Sequence, residues 1–314
     1  MTYSIVARDP VTGELGGAVQ TRWFAVGAGV LWVEPGVGAV ATQSFTEVAH
    51  GPNGLALLRS GRSPAEALAS LRASDQGRET RQVGIVGFDG ASAAFTGLRC
   101  VEAAGHATAT DVSCQANMME RDTVWAAMLA AFSAAAGDLA ARLMAALRAA
   151  EAEGGDVRGC QSAALVVVPG SRGPGGPGGL GGAGGQGESR PPAWEGRFDL
   201  RVDDAADPLG ELDRLLRIAR GYEAFEAATE LAESGAVEAA LERFSAARAL
   251  APEDDQVALW HAACLAAAGR AAEARDVFRE ALAAEPRAAE HLRRFVAAGH
   301  ADWATGVLET FVRT

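Results

Sequence analysis

The sequence of 314 residues contains no lysine, since all 28 of its basic residues are arginines. This absence excludes chemistries that depend on a lysine amine, such as a Schiff base, a pyridoxal-phosphate anchor, a phosphate-loop lysine or a kinase-type lysine. The 40 acidic residues give a formal net charge of -12. We therefore expect no nucleic-acid partner, because binding to phosphates favours a basic chain.

Recognisable metal, redox and membrane motifs are also lacking. The four cysteines have no zinc or redox spacing, and the five histidines have no metal-ligand spacing. We expect no metal and no cofactor. No secretory signal is visible at the start, and the longest apolar stretch, residues 24–33, is too short to span a bilayer. The sequence therefore predicts a cytoplasmic protein that has no membrane partner.

The first half of the chain has the pattern of strands, then helices, then strands. Runs at 3–9 and 15–21 predict one hairpin, and Asp89-Gly90 predicts a second between 82–88 and 92–96. Further strands are predicted at 25–33, 37–42, 111–115, 161–168 and 197–202, and helices at 54–60, from Ser63, at 121–135 and at 138–153. This order indicates an α+β fold with two antiparallel sheets covered by helices.

Glycine is concentrated in one segment. Its composition predicts a disordered loop over residues 170–192, with a domain linker as the alternative. Because the following strand still fits the first fold, we place domains at 1–206 and 207–314. Asp207-Pro208 is typical of a helix start.

The second domain is helical and contains a repeat. Five positions recur at one constant spacing, which matches the tetratricopeptide period of about 34 residues. The pairs are Gly235 and Gly269, Ala240 and Ala274, Phe244 and Phe278, Ala247 and Ala281, and Pro252 and Pro286. Helices at 288–297 and 303–312 are predicted to cap an all-α, tetratricopeptide-like module.

Thr2 is a candidate nucleophile. Methionine before a small residue is usually removed, which would leave Thr2 with a hydroxyl beside its own α-amine. That amine has an ordinary pKa of about 7.7–8.0 and can act as a base at neutral pH. Any protein can begin Met-Thr, so this feature alone does not establish the role.

Polar residues at the ends of predicted strands form a second set of candidates. They are predicted to bind substrate or an oxyanion, with a loop that holds a local salt bridge as the alternative. The set comprises Gln43, Ser44, Asn117, Asp156, Arg158 and Gln161. His106, in a predicted loop, is a further candidate. So is Asp203, which lies among clustered aspartates that could bind a hard cation.

Several segments together resemble one family, the domain-of-unknown-function family 1028. The resemblance covers the chain from Met1 to about Leu215. It is carried by TYSIVARD at 2–9, TGELG at 12–16, AVQT at 18–21, ATQSF at 41–45, GPNGLALL at 51–58, RQVGIV at 81–86, AAFTG at 93–97, AGH at 104–106, QANM at 115–118, GGDVRGCQSAAL at 154–165 and DLRVDD at 199–204.

The resemblance implies an N-terminal-nucleophile hydrolase-like αββα sandwich with Thr2 as the attacking residue. Ala116 and Ala205 stand where the family usually has glycine and histidine, and the lysine of proteasome-like threonine hydrolases is missing. Because the resemblance makes Thr2 the attacking residue, the leading hypothesis is an amide-bond hydrolase acting on a small molecule or peptide. The alternative is a non-catalytic scaffold whose repeats recruit a protein or peptide partner. Exposed sheet edges make a homo-oligomer plausible.

Overall fold

The computed structural model describes residues 2–170, 197–299, 302–304 and 311. The chain divides into two compact units, Met1–Asp213 and Arg214–Thr314. Most of the segment predicted as a disordered loop, residues 171–192, lies outside the described residues, as does His300. No helix in the described part of the chain is long and apolar enough to cross a membrane.

The first unit contains two antiparallel sheets. A six-stranded sheet has the order β10-β9-β2-β1-β8-β7, and a four-stranded sheet has the order β3-β4-β5-β6. The strands are β1 Thr2–Arg8, β2 Leu15–Thr21, β3 Leu31–Glu34, β4 Gly38–Ser44, β5 Arg81–Gly87, β6 Ser92–Thr96, β7 Gly105–Ala109, β8 Val112–Asn117, β9 Ser162–Val168 and β10 Phe198–Val202. The predicted mixture of antiparallel sheets and helices is confirmed.

The two sheets pack face to face, and each is covered by two helices on its other side. Helices α1 (His50–Arg59) and α2 (Pro64–Ser74) contact the four-stranded sheet. Helices α3 (Val124–Ala134) and α4 (Leu139–Ala152) contact the six-stranded sheet. The result is a helix–sheet–sheet–helix order. The central strand of the six-stranded sheet is β1, which lies between β2 and β8.

Side-chain caps set the helix starts that the sequence predicts. Ser63 accepts a hydrogen bond from the Glu66 backbone N–H, and the Glu66 carboxylate accepts one from the Ser63 backbone N–H. Asp138 caps α4 by accepting from the Ala141 N–H. The Asp207 carboxylate likewise accepts from the Gly210 N–H at the start of the next helix. Each cap satisfies a backbone donor that lacks a partner within its helix.

Three sequence predictions are corrected. Residues 25–33 are not one strand, because Ala25 has a left-handed φ of 52° and Val26–Ala28 form a 3-10 helix before β3. Helix α1 begins at His50, four residues before the predicted start. Strand β7 was missed, and His106 lies on it; its run of glycine, alanine and threonine has little of the β-branched and aromatic pattern of a strand.

Helices form the second unit. They are α5 Pro208–Glu233, which begins in the first unit, and α6 Val237–Leu250, α7 Asp255–Ala267, α8 Ala271–Ala284 and α9 Ala288–Ala297, followed by a 3-10 helix at Asp302–Ala304. Helix α9 agrees with the prediction. Of the predicted helix at 303–312, the residues 305–310 and 312 lie outside the described part.

The paired positions of the repeat have matching environments. Gly235 and Gly269 both end a turn with positive φ, at 82° and 77°. The paired alanines and phenylalanines face the core of this unit, where Phe244 is fully buried and Phe278 is 5% exposed. Small side chains at the alanine positions allow neighbouring helices to approach closely.

Candidate functional site

A cavity opens at the start of β1. Its volume is about 470 Å³, and Thr2, Thr21, Ser44 and Arg158 are among the residues that line it. In the sheet, Thr2 lies opposite Thr21 on one side and Asn117 on the other. The end of the central strand therefore presents Thr2 to this cavity.

Thr2 is held through both its side chain and its carbonyl. Its Oγ1 donates a hydrogen bond to Thr21 Oγ1 at 3.1 Å. Its carbonyl oxygen accepts from Gln43 Nε2 at 3.0 Å and from Asn117 Nδ2 at 3.3 Å. Gln43 comes from the opposite sheet, so both layers fix the position of Thr2. Gln43 and Asn117 thus lie behind Thr2, and they are not among the described residues that line the cavity.

Buried amides connect the two sheets behind Thr2. Gln82 Oε1 accepts from Gln43 Nε2 at 2.7 Å and from Asn117 Nδ2 at 2.9 Å. Ser4 Oγ donates to Gln43 Oε1 at 2.6 Å. In a fully buried network such bonds are strong, and leaving one of its groups unpaired is costly. The network therefore links the two sheets directly behind Thr2.

Two members of this network, Ser4 and Gln82, were missed by the sequence prediction. Both are polar residues at fully buried positions of otherwise apolar strands, which is the signal that could have found them. Gly84 belongs to the same layer, because a Cβ there would lie 2.1 Å from Gln115 Oε1. The close approach of that amide therefore requires glycine.

Asp156 and Arg158 form an ion pair beside Thr2. Arg158 Nε and Nη2 donate to the two carboxylate oxygens of Asp156 at 3.0 and 2.7 Å. The Asp156 side chain is fully buried, whereas Arg158 is 29% exposed and lines the cavity. Asp156 also accepts from the Arg22 backbone N–H at 3.2 Å. In this arrangement Asp156 positions Arg158 and the end of β2, and Arg158 faces the cavity.

Unusual backbone conformations surround the cavity. Ser44, which lines it, has φ of 74°, and Ala25, which also lines it, has φ of 52°. Met118, directly after Asn117, has φ of 59°. The Ser44 hydroxyl is buried and has no hydrogen-bond partner within the described residues. Strained backbone and an unpaired buried hydroxyl are features that concentrate at functional sites.

The other predicted site residues lie elsewhere, since none of them lines the cavity as described. Gln161 accepts from Arg22 Nη1 at 2.8 Å and donates to Asp204 at 3.1 Å. His106 lies on the edge strand β7 with Nδ1 2.9 Å from Thr96 Oγ1, and burial lowers the pKa of its ring. Asp203 is exposed, and its carbonyl accepts from the Ala25 N–H at 3.0 Å.

Among the residues that the structure describes, no group of three or more histidine, cysteine, aspartate or glutamate side chains is placed to hold a metal ion. The aspartates clustered near Asp203 in sequence are Asp199, Asp204 and Asp207. Asp199 pairs with Arg201, whose Nε donates to it at 2.7 Å. Asp207 caps a helix. These two carboxylates therefore have structural partners.

Comparisons with known proteins find one matching family and a similar solved structure. The model of a family of unknown function, DUF1028, matches residues 2–212. The crystal structure of protein SPO2555 from Silicibacter pomeroyi, which matches the same family model, is 32% identical in sequence with a TM-score of 0.57. That similarity covers 68% of this chain and 87% of the other. No curated protein matches the sequence.

Proposed function

We propose that this chain, which belongs to the family of unknown function DUF1028, is an amide-bond hydrolase whose nucleophile is Thr2. The observation that carries the proposal is the position of Thr2. It lies at the end of the central strand, lines a cavity of about 470 Å³, and is held by Thr21, Gln43 and Asn117. The helix–sheet–sheet–helix order supports an N-terminal-nucleophile hydrolase-like fold as part of the same proposal.

The proposed reaction begins once Met1 has been removed. The neutral α-amine of Thr2 takes the proton of Oγ1, and Oγ1 attacks the amide carbon to give a tetrahedral intermediate. Collapse of this intermediate breaks the C–N bond, and the leaving amine takes the proton from the α-ammonium group. Water, deprotonated by the same amine, then hydrolyses the acyl ester and regenerates Thr2.

Arg158 supplies the positive charge of this mechanism. Arg158 and Ser44 both line the cavity, but the Ser44 hydroxyl is buried, so the Arg158 guanidinium is the group suited to stabilise the negative oxygen of the intermediate. An arginine guanidinium is not suited to serve as the base in a protein. Since the chain has no lysine, the proposal assigns the role of base to the α-amine. Activity should therefore rise with pH through the amine pKa of about 7.7–8.0.

The test compares Thr2 variants on a panel of simple amides, with amine release as the readout. Thr2→Ala should lower kcat/KM at least about 100-fold, because the hydroxyl nucleophile is lost while the α-amine remains. Thr2→Ser should retain measurable activity. The control Thr12→Ala changes an exposed turn threonine and should behave as wild type. Equal hydrolysis by Thr2→Ala and wild type would exclude this mechanism.

A second function is proposed for the helical unit, namely recruitment of a protein or peptide partner by a tetratricopeptide-like module. The matching environments at the paired positions of the repeat support it. In this case the first unit need not be catalytic. The test is capture of partners by the full chain, compared with a variant carrying charge reversals on the exposed faces of α6 and α8. A partner retained equally by both proteins would count against this role.

A further inference from the structure

Large apolar side chains stand exposed around the mouth of the cavity. Trp23 is 69% exposed, Phe24 62%, Phe45 51% and Val48 46%, and all four line the cavity. Trp23 and Phe24 follow β2, whereas Phe45 and Val48 follow β4. We call these four residues the apolar rim. Large apolar side chains that are exposed together around one cavity are typical of a binding site.

The segment with Trp23 and Phe24 is fixed by its backbone. The buried hydroxyl of Ser162 donates to the Trp23 carbonyl at 2.5 Å and accepts from the Val26 N–H at 3.1 Å. The Ala25 N–H donates to the Asp203 carbonyl, and the buried Asp156 carboxylate binds the Arg22 N–H. Hydrogen bonds therefore hold the backbone that carries the two aromatic side chains in place.

The segment with Phe45 is fixed in the same way. Its N–H donates to the Thr80 carbonyl at 3.3 Å, and its carbonyl accepts from Arg81 Nη1 at 2.6 Å. Thr42 Oγ1 donates to the Glu47 carbonyl at 3.1 Å. Both sides of the rim are thus organised in advance, which reduces the entropy lost when a ligand binds.

We infer that the substrate carries a bulky apolar group, aromatic or branched aliphatic, next to the amide that is cleaved, and that this group binds against the apolar rim. The inference rests on the proposed function of Thr2. A concave cavity with apolar walls and a few polar residues, among them Thr2, Ser44 and Arg158, is typical of a small-molecule site. An apolar group of a small substrate would therefore fit this cavity better than the flat surface of a second protein would.

Binding tests this inference independently of hydrolysis. Phenylacetamide and acetamide are titrated calorimetrically into the full-length Thr2→Ala protein. Phenylacetamide should bind at least about tenfold more tightly, because its ring leaves water. Phe24→Ala and Trp23→Ala, each added to Thr2→Ala, should weaken phenylacetamide binding several-fold. Phe88→Ala is the matched control, since Phe88 is 38% exposed but does not line the cavity as described.

Two outcomes separate this inference from the proposed function. Equal binding of both amides, or equal effects of Phe24→Ala and Phe88→Ala, would overturn the apolar substrate class even if Thr2-dependent hydrolysis is found. Preferential phenylacetamide binding with hydrolysis that does not need Thr2 would overturn the nucleophile and leave the ligand class supported.

Discussion

Thr2 shows how a site can be organised by single residues. Its carbonyl is bound by two buried amides, and its hydroxyl is bound by a neighbouring threonine. Thr2, Ser44 and Arg158 were all candidates from the sequence, and they line one cavity. The sequence could have marked Gln82 as a polar residue in an apolar strand, but not its contacts, because these depend on the packing of the two sheets.

A prediction at this scale concerns the buried carboxylate under Arg158. Asp156→Asn removes the charge that compensates Arg158 and should lower the free energy of unfolding by about 3 kcal/mol. Asp199→Asn is the matched control, because Asp199 also pairs with an arginine two residues later but its side chain is 19% exposed. The control should cost at most about 1 kcal/mol. Urea unfolding measures both, and equal losses would contradict the structural role given to Asp156.

Elements differ in how far local sequence determines them. Hairpins and capped helices were predictable, because turn residues and capping side chains act within a few positions, as at Ser63 and Asp138. The segment at 25–33 was not, because Ser162, distant in sequence, binds the Val26 N–H and so helps to hold the turn. The edge strand β7 was missed because pairing with β8, rather than its own composition, creates it.

The recurring helices give a prediction at the scale of elements. Phe244→Ala and Phe278→Ala should each lower the free energy of unfolding by about 3–5 kcal/mol, because each removes a buried ring from the same kind of position. Phe295→Ala, at a 41% exposed position, should cost clearly less. The measurement is urea unfolding followed by far-ultraviolet circular dichroism. A loss at Phe278 as small as that at Phe295 would argue against equivalent positions.

At the scale of the whole molecule, the chain combines a layered α+β unit with a helical one. The constant spacing of the repeat predicted a separate helical unit, and the repeated alanines and phenylalanines are buried in it. The end of the first unit is harder to predict from the sequence. The reason is that one continuous helix, α5, runs from Pro208 to Glu233, so secondary structure gives no break at the boundary after Asp213.

The stability of the helical unit should depend on pH through His261. Burial, and then the charges of Arg248 and Arg270, lower the pKa of this ring to about 4. The unfolded chain, with an ordinary pKa of about 6.5, therefore binds the proton first. Stability is full above pH 6.5 and falls as the pH drops towards 4.

The expected loss between pH 7.5 and 5 is about 1–2 kcal/mol, allowing for screening by solvent. Urea unfolding at both pH values gives the difference. His261→Gln should reduce this pH dependence. An unchanged dependence in that variant would assign the effect to other groups.

The central claim, that Thr2 is a nucleophile with a free amine, is tested most directly by mass spectrometry. The purified full-length protein is treated with a β-lactone bearing an aromatic group, and the modified peptide is sequenced by fragmentation. We predict that Met1 is absent and that one acyl group is attached to Thr2 Oγ1, with no such adduct in Thr2→Ala. Retained Met1, or an adduct that forms equally in the variant, would contradict the claim.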